Sequence, residues 1–259
     1  MLAGRAIEEG AECLVAAGGD GTLGEVAGAI LEAKSRVSLG VLPLGTGNDF
    51  ARTLGVFGSQ ERAIEAIFEG ERSLVDAGRI ECQEKERFWL NVAGCGFDSL
   101  VAKRINDWGG RKTMRHVRGL SAYLLAVACE LSTFRSFDVH MELDGEKLET
   151  RAVLCAVANA KSYGGGMLVC PDAELDDGYF DVCIIGDASR GEFLRAFPGV
   201  FAGKHVSHPK VTMKRCRTIR LECSERVPVL ADGEIVGGAS FLCEVVPRAL
   251  RICVPDQGG

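Results

Sequence analysis

The sequence predicts an α/β unit followed by a mainly antiparallel β unit. Three observations carry this. Before about residue 77, apolar runs alternate between strand and helix spacing; after it, short strand-like runs separated by turn residues dominate. Asp144-Gly145 divides two such runs in the manner of a hairpin. Finally, 259 residues fit two modest domains at about 150 residues each. The expected domains are 1–77 and 78–259, with the last strand returning to the first.

The first unit opens in a helix that leads into a strand at Glu12–Ala17. Leu23, Val26, Ala27, Ile30 and Leu31 share one helical face, which predicts a helix over Leu23–Lys34. Val37–Leu42 reads as the next strand. Asn48 or Asp49 caps a short helix over Phe50–Leu54, and Ser59–Glu69 forms a helix stopped by Gly70. Such alternation implies a parallel sheet of right-handed βαβ units. The second unit reads as strands over Leu74–Cys82, Arg87–Ala93, Phe137–Leu143, Arg151–Ala158, Tyr179–Ile185, Thr218–Cys223 and Phe241–Val246. Helices over Asp98–Asn106, Gly119–Ser132 and Arg190–Phe201 interrupt them, and a β-sandwich is expected.

Composition removes several classes of function. Apolar residues make up 47 % and charged residues 25 %, which excludes a disordered, collagenous or coiled-coil chain. The longest apolar run, Ala122 to Cys129, is far short of the roughly 18 to 20 residues that span a bilayer. Met1 to Gly10 has two acids and no apolar core, so no signal peptide is expected. The 11 cysteines include no Cys-x-x-Cys pair and read as buried thiols of a reducing compartment, which points to the cytoplasm. His205-x-x-His208 lacks further ligands at zinc spacing. A net charge of −6 argues against a nucleic-acid partner. Two stretches run against that sign, Lys103–Arg118 and Lys204–Arg220. The first, with Trp108 and Met114, reads either as a dock for an anionic membrane surface or, with Gly109-Gly110, as a solvated loop.

Chemistry concentrates in two loops. Ala17-Gly-Gly-Asp-Gly-Thr-Leu-Gly24 runs from a strand into a helix. Its glycines permit positive φ and keep side chains away from a bulky anion, and the turned amides with the helix N-terminus attract phosphate. Phosphate repels a carboxylate such as Asp20 unless a cation lies between them, which suggests Mg²⁺. The competing reading is a plain strand–helix turn, since Thr22 and Glu25 have capping-box spacing. The second loop, Pro43 to Arg52, again holds glycines, a hydroxyl at Thr46 and an Asn-Asp pair. In a parallel sheet both loops emerge at the carboxyl ends of their strands, where ligands bind.

Gly18-Gly-Asp-Gly-Thr22 followed by Pro43-Leu-Gly-Thr-Gly-Asn-Asp-Phe-Ala-Arg52 resembles the diacylglycerol kinase catalytic-domain family, specifically its soluble bacterial lipid kinases. The first motif is shared with NAD kinases; the second belongs to the lipid-kinase branch. The likeness continues through Phe88–Asp98, Leu175–Gly178, Asp232-Gly-Glu234 and Ala249–Pro255. It implies an NAD kinase/diacylglycerol kinase-like fold and an ATP-dependent lipid kinase acting on diacylglycerol or a similar membrane lipid. Gly18, Gly19, Asp20, Gly21, Thr22, Leu23, Gly24 and Thr46 would bind ATP phosphates and Mg²⁺ in a cleft between the domains. The resemblance also implies a structural Mg²⁺ on the Asp177 side chain and the backbone carbonyls of Glu174 and Tyr179. Glu234 would take the proton of the lipid hydroxyl. Transient contact with the inner membrane surface and a homodimer are compatible with it. Without the resemblance, Asp232-Gly233 and Asp176-Asp177-Gly178 read more readily as surface turns.

Two departures stand out. Gly24 replaces the Asn usual in the family, and a preceding strand, Asn-Pro-x-Ser-Gly-like loop and strand–helix unit are expected there but not seen. The expected consequences are weakened ATP affinity or an inactive lipid- or nucleotide-binding fragment. An NAD kinase-like enzyme is the remaining alternative.

Overall fold

The computed structural model describes residues 2–109, 120–223 and 227–256. Helix α1 (Leu2–Glu8) leads to β1 (Cys13–Gly18), and α2 (Asp20–Glu32) leads to β2 (Ser38–Pro43). β1 and β2 pair in parallel throughout, as their alternation with helices requires. Leu23, Ala27, Ile30 and Leu31 form the buried stripe of α2, in one core with Ala16, Leu39 and Val41. Two further helices follow, α3 (Asp49–Thr53) and α4 (Gln60–Phe68). Ser59 starts α4 by accepting the Arg62 N–H.

The rest is mainly antiparallel. β3 (Glu71–Cys82), β4 (Lys85–Trp89) and β5 (Val92–Gly96) precede α5 (Phe97–Gly109) and α6 (Leu120–Thr133). Then come β6 (Phe137–Leu143), β7 (Glu146–Ala158), β8 (Phe180–Gly186), α7 (Arg190–Ala196), β9 (Val211–Cys216), β10 (Thr218–Cys223), β11 (Pro228–Ala231), β12 (Glu234–Gly238) and β13 (Ser240–Val254). Asp144 and Gly145, both at positive φ, close the β6–β7 hairpin. Trp89 and Phe180 stack at 4.9 Å in the core of this part, with Ile219 and Leu221 close by. The cysteines are free thiols, most of them buried.

A single ladder system links the two parts. β13 pairs with β10 at its start and, through Arg251 and Ile252, lies parallel to β2 at its end. β3 runs antiparallel to it almost throughout. The register shifts between Val246 and Leu250, where Arg248 has φ 50 and its N–H bonds the buried Asp76 at 2.6 Å. This bulge is why the expected strand Phe241–Val246 looked complete at Val246: the chain kinks there and then continues.

Other boundaries also differ. The Arg190–Phe201 helix becomes α7 plus a 3₁₀ segment, Phe197–Ala202, because Pro198 has no N–H to continue the α ladder. The strands β9, β11 and β12 were not anticipated; β11 and β12 are short and flank a turn. Positions 110–119, most of the basic run ending at Arg118, lie outside the described residues. Among the described residues no helix is long and apolar enough to cross a membrane.

Candidate active site

The first loop is shorter than its spacing suggests. β1 ends at Gly18 and α2 already begins at Asp20, with Gly19 as N-cap and no side chain capping it. Thr22 and Glu25 therefore lie within α2, and the capping box is not made. None of Gly18, Gly19, Gly21, Gly24, Gly45 and Gly47 takes a positive φ. Close approach demands glycine at Gly18, Gly45 and Gly47 instead, whereas Gly21 and Gly24 have space around them. Leu44 and Gly45 both donate to the Gly18 carbonyl, at 2.9 and 3.2 Å. A β-carbon on Gly45 would fall well inside van der Waals contact distance of Gly19 Cα. Asn48, at φ 52, locks the second loop: Gly45 N–H donates to its Oδ1 at 3.1 Å, and its Nδ2 donates to the Gly45 carbonyl at 2.7 Å. Thr46 is exposed at the tip of that loop. The two loops thus present bare backbone at the α2 N-terminus, whose first amides have no side-chain acceptor.

Carboxylates surround this bare wall. Asp20 Oδ1 accepts the Phe50 N–H at 3.1 Å. Asp49 accepts the N–H groups of Gly165 and Gly166 at 2.8 and 2.7 Å. Those two glycines have φ +89 and +105, a backbone that turns both amides to one side. Burial raises the Asp49 pKa, the two amides oppose that, and the Asp20 charge adds to it. Arg52 stands 3.9 Å from Asp49, its guanidinium lying 3.4 Å from the centre of the Phe57 ring.

Two more acids face them. Asp232 occupies the two-residue β11–β12 turn at φ 48, and its carboxylate accepts the N–H groups of Leu90 and Asn91, each at 2.8 Å. These bonds break the expected strand Arg87–Ala93 into β4 and β5. Burial pushes Asp232 up to about 6 although three backbone amides favour its anion. Asp98 is likewise raised by burial to about 6, with Ser99 N–H at 2.8 Å and Tyr163 OH at 3.0 Å on its carboxylate. Asp20, Asp49, Asp98 and Asp232 line one cleft of about 290 Å³, with Asn91 and Tyr163 between them.

The expected site residues divide. Gly18 to Gly24 and Thr46 lie at the loops, and Asp20 lies in the cleft. A β-carbon on Gly24 would point 3.9 Å from Asp232 Oδ2, so an Asn at this position would reach that carboxylate. Glu234 follows the Asp232-Gly233 turn, but its side chain is 58 % exposed and pairs with Arg87 Nη1 at 2.6 Å. It lines an adjoining groove against Gly24 and Gly28 of α2. Asp49, Asp98 and Asp232 were missed as site acids, having been read as a cap, a motif member and a turn residue.

The metal expectations separate in the same way. Asp177 Oδ1 accepts the Tyr179 N–H at 2.9 Å, and its other oxygen is held by the Arg215 guanidinium. Arg215 also lies 3.8 Å from Asp181 and 4.9 Å from the Tyr179 ring centre. The Arg215 guanidinium thus pairs with the carboxylate that was expected to join the Glu174 and Tyr179 carbonyls around a structural Mg²⁺. Among the described residues no group of three His, Cys, Asp or Glu converges as a metal cage. In the cleft, Asp20 and Asp49 supply the hard oxygens with which proteins hold a Mg²⁺ carried by nucleotide phosphates.

Residues 1–80 match the diacylglycerol kinase catalytic domain, and residues 91–254 match the YegS C-terminal NAD kinase beta sandwich-like domain. A diacylglycerol kinase of Mycobacterium tuberculosis is 34 % identical over 260 residues, covering 99 % of this chain and 81 % of the relative. This chain belongs to the diacylglycerol kinase family. It is a kinase, a phosphotransferase acting on an alcohol. A second relative in the family, the diacylglycerol kinase of Staphylococcus carnosus, is 32 % identical over 240 residues, covering 92 % of this chain and 76 % of its own. The crystal structure of a diacylglycerol kinase from Bacillus anthracis strain Sterne shares the fold, with a TM-score of 0.72 at 23 % identity over 97 % of this chain and 80 % of that one. The family match favours the lipid-kinase branch over the NAD kinase alternative.

Proposed function

We propose that this protein transfers the γ-phosphoryl group of ATP to a hydroxyl of a membrane lipid of the diacylglycerol type. The observation that carries the proposal is the cleft: two side-chain-free loops packed backbone to backbone at the α2 N-terminus, facing four carboxylates. The amides of Gly18 to Gly24 and the Thr46 hydroxyl position the phosphates. Asp20 and Asp49 would hold the Mg²⁺ that accompanies them, and that ion, when bound, supplies charge neutralisation at the transferring group. Glu234 takes the hydroxyl proton, with Arg87 orienting its carboxylate. Asp232 is the alternative base, because it lines the cleft itself and its pKa of about 6 suits proton transfer near neutrality.

The acceptor is drawn from an anionic inner membrane surface, with the division of labour between domains falling near residue 77. Exposed Lys103 on α5 is available for such contact, whereas Arg104 is engaged by Glu130. Vesicle co-sedimentation indifferent to anionic lipid and salt would remove this part. The central test is ATP turnover on a lipid extract, with labelled products separated by thin-layer chromatography. A folded sample that labels no lipid with Mg·ATP rejects the kinase proposal.

A further inference from the structure

The 11 cysteines have no part in the proposed phosphoryl transfer, yet two pairs of them bring their sulfurs close together. Cys13 and Cys253 stand 4.0 Å apart, and Cys95 and Cys223 3.7 Å. The pairs are built differently. Cys13 lies on β1 and Cys253 on β13, with β2 between them. Two strand spacings amount to about 9.6 Å, beyond the roughly 7 Å between α-carbons that a disulfide bridges. The first pair therefore cannot join without parting the strands.

Cys95 and Cys223 meet across the β-rich half instead of along the ladder. β6 and β7 separate their strands β10 and β5 in the sheet order, but the sheet curls over on itself. Cys95 belongs to the core that holds Phe180 and Ile219, and Cys223 packs against that core. Closing 3.7 Å to a bond of about 2.05 Å asks for less than 2 Å of movement.

Their surroundings give the two thiols different roles. Cys95 is fully buried between Gly94 and Gly96, whose backbone is pressed on β7; a β-carbon on either would clash with the Cys155 or Val153 carbonyl. Cys223 ends β10 and is partly exposed. The Cys95 thiol donates to the Cys223 sulfur and lowers the Cys223 pKa, while that bond and burial hold Cys95 well above the usual thiol range. A reachable sulfur that favours its thiolate is the nucleophile of thiol redox chemistry, and a protonated thiol in contact with it is the resolving partner. The pair is also close to the acidic cleft: β5 leads from Cys95 to Asp98 within one helical turn and pairs with β11 up to Ala231, beside Asp232.

We propose that Cys223 and Cys95 form a hydroperoxide-reactive pair that closes reversibly into a disulfide stapling β10 to β5. The Cys223 sulfur attacks one peroxide oxygen, the O–O bond breaks, and the other oxygen leaves with the thiol proton as alcohol or water, so Cys223 becomes a sulfenic acid. The Cys95 sulfur then attacks Cys223, the S–O bond breaks, and the hydroxyl leaves with the Cys95 proton as water. The two thiols together lose two electrons and two protons, which the peroxide takes up. None of this depends on the lipid-kinase reading.

The test treats the reduced full chain with hydrogen peroxide, blocks the remaining thiols with iodoacetamide and maps the peptides without reduction. The expected result is a loss of about 2 Da with a linked peptide pair holding Cys95 and Cys223, formed about tenfold faster than any other cysteine is oxidised and reversed by dithiothreitol. Cys223→Ser abolishes that link. Cys95→Ala, which takes only a sulfur from the core, leaves a Cys223 sulfenic acid that dimedone traps. A parent protein in which the link never forms, or forms no faster than links among Cys13, Cys129 and Cys253, overturns the proposal. So does dimedone labelling of Cys13 or Cys129 in place of Cys223, in a Cys95→Ala variant whose circular dichroism matches the parent.

Discussion

Two clusters of acids among the described residues are neutralised differently. In the loop from Asp172 to Asp181, Arg215 holds Asp177 and reaches Asp181, while Arg217 donates to Tyr179 OH at 3.2 Å and stacks on the same ring. In the cleft, Asp20, Asp49 and Asp232 are bonded chiefly by backbone N–H groups, and the guanidinium nearest to Asp49 stands 3.9 Å away. Amide dipoles orient an anion without cancelling its charge. The loop has a counter-charge built in, and the proposed function puts the divalent ion that accompanies the nucleotide in the cleft.

The largest expected effect breaks the two clusters apart. Asp20→Asn is expected to lower kcat about 10³-fold, whereas Asp177→Asn leaves kcat within about twofold; steady-state kinetics with a saturating lipid acceptor reads both. Equal losses would show that the clusters are not distinct. Glu234→Gln should cost about 10²- to 10³-fold in kcat with ATP affinity by calorimetry unchanged. If Asp232→Asn is inactive and Glu234→Gln is not, the base is Asp232.

The next effect depends on pH. Folding raises the Asp98 pKa to about 6, above its unfolded value of about 3.9. Its contribution is then fully present below the unfolded value and lost as pH rises through about 6. Asp98→Asn is accordingly expected to gain about 3 kcal/mol on the parent at pH 8 and about half as much at pH 5. Denaturant midpoints at the two pH values measure this, and a larger gain at the lower pH would contradict the burial argument.

The remaining predictions sharpen the contrast through stability. Gly45→Ala forces the two loops apart and is expected to destabilise by about 2 to 3 kcal/mol, seen as a lower denaturation midpoint. Arg215→Gln should cost about 1 kcal/mol, a modest loss because the arginine side chain is half exposed. A chelator should leave the parent Tm unchanged; a fall reversed by Mg²⁺ would mean that an ion, and not Arg215, secures the loop.

Periodicity and turn chemistry are local, and what they encode was legible. The βαβ order, the α2 stripe, the Ser59 cap and the Asp144-Gly145 hairpin all follow from neighbours in the chain. The break at Leu90-Asn91 does not, because its acceptor is Asp232, 142 positions away from Leu90. Of the two reasons for the loop glycines, the positive φ is not found. Sequence shows that a side chain is absent, but not that another backbone fills the space. Asp49 and Asp232 carried the residue types of caps and turns; Asp232 does sit in a turn, Asp49 caps nothing, and their place in the cleft emerges only when distant strands align. The Arg87 partner of Glu234 and the Arg215 partner of Asp177 are hidden for the same reason.

β3 and β13 pass from one half of the molecule into the other as a continuous paired ribbon, pinned at the Arg248 kink by Asp76. The halves consequently cannot swing on a loose tether; separating them would rupture ladder bonds. Any tightening around a bound nucleotide must come from torsion of that ribbon or from the short segments at the rim, such as the glycine run 164–166. The enzyme is in this sense built as a spring rather than as a door.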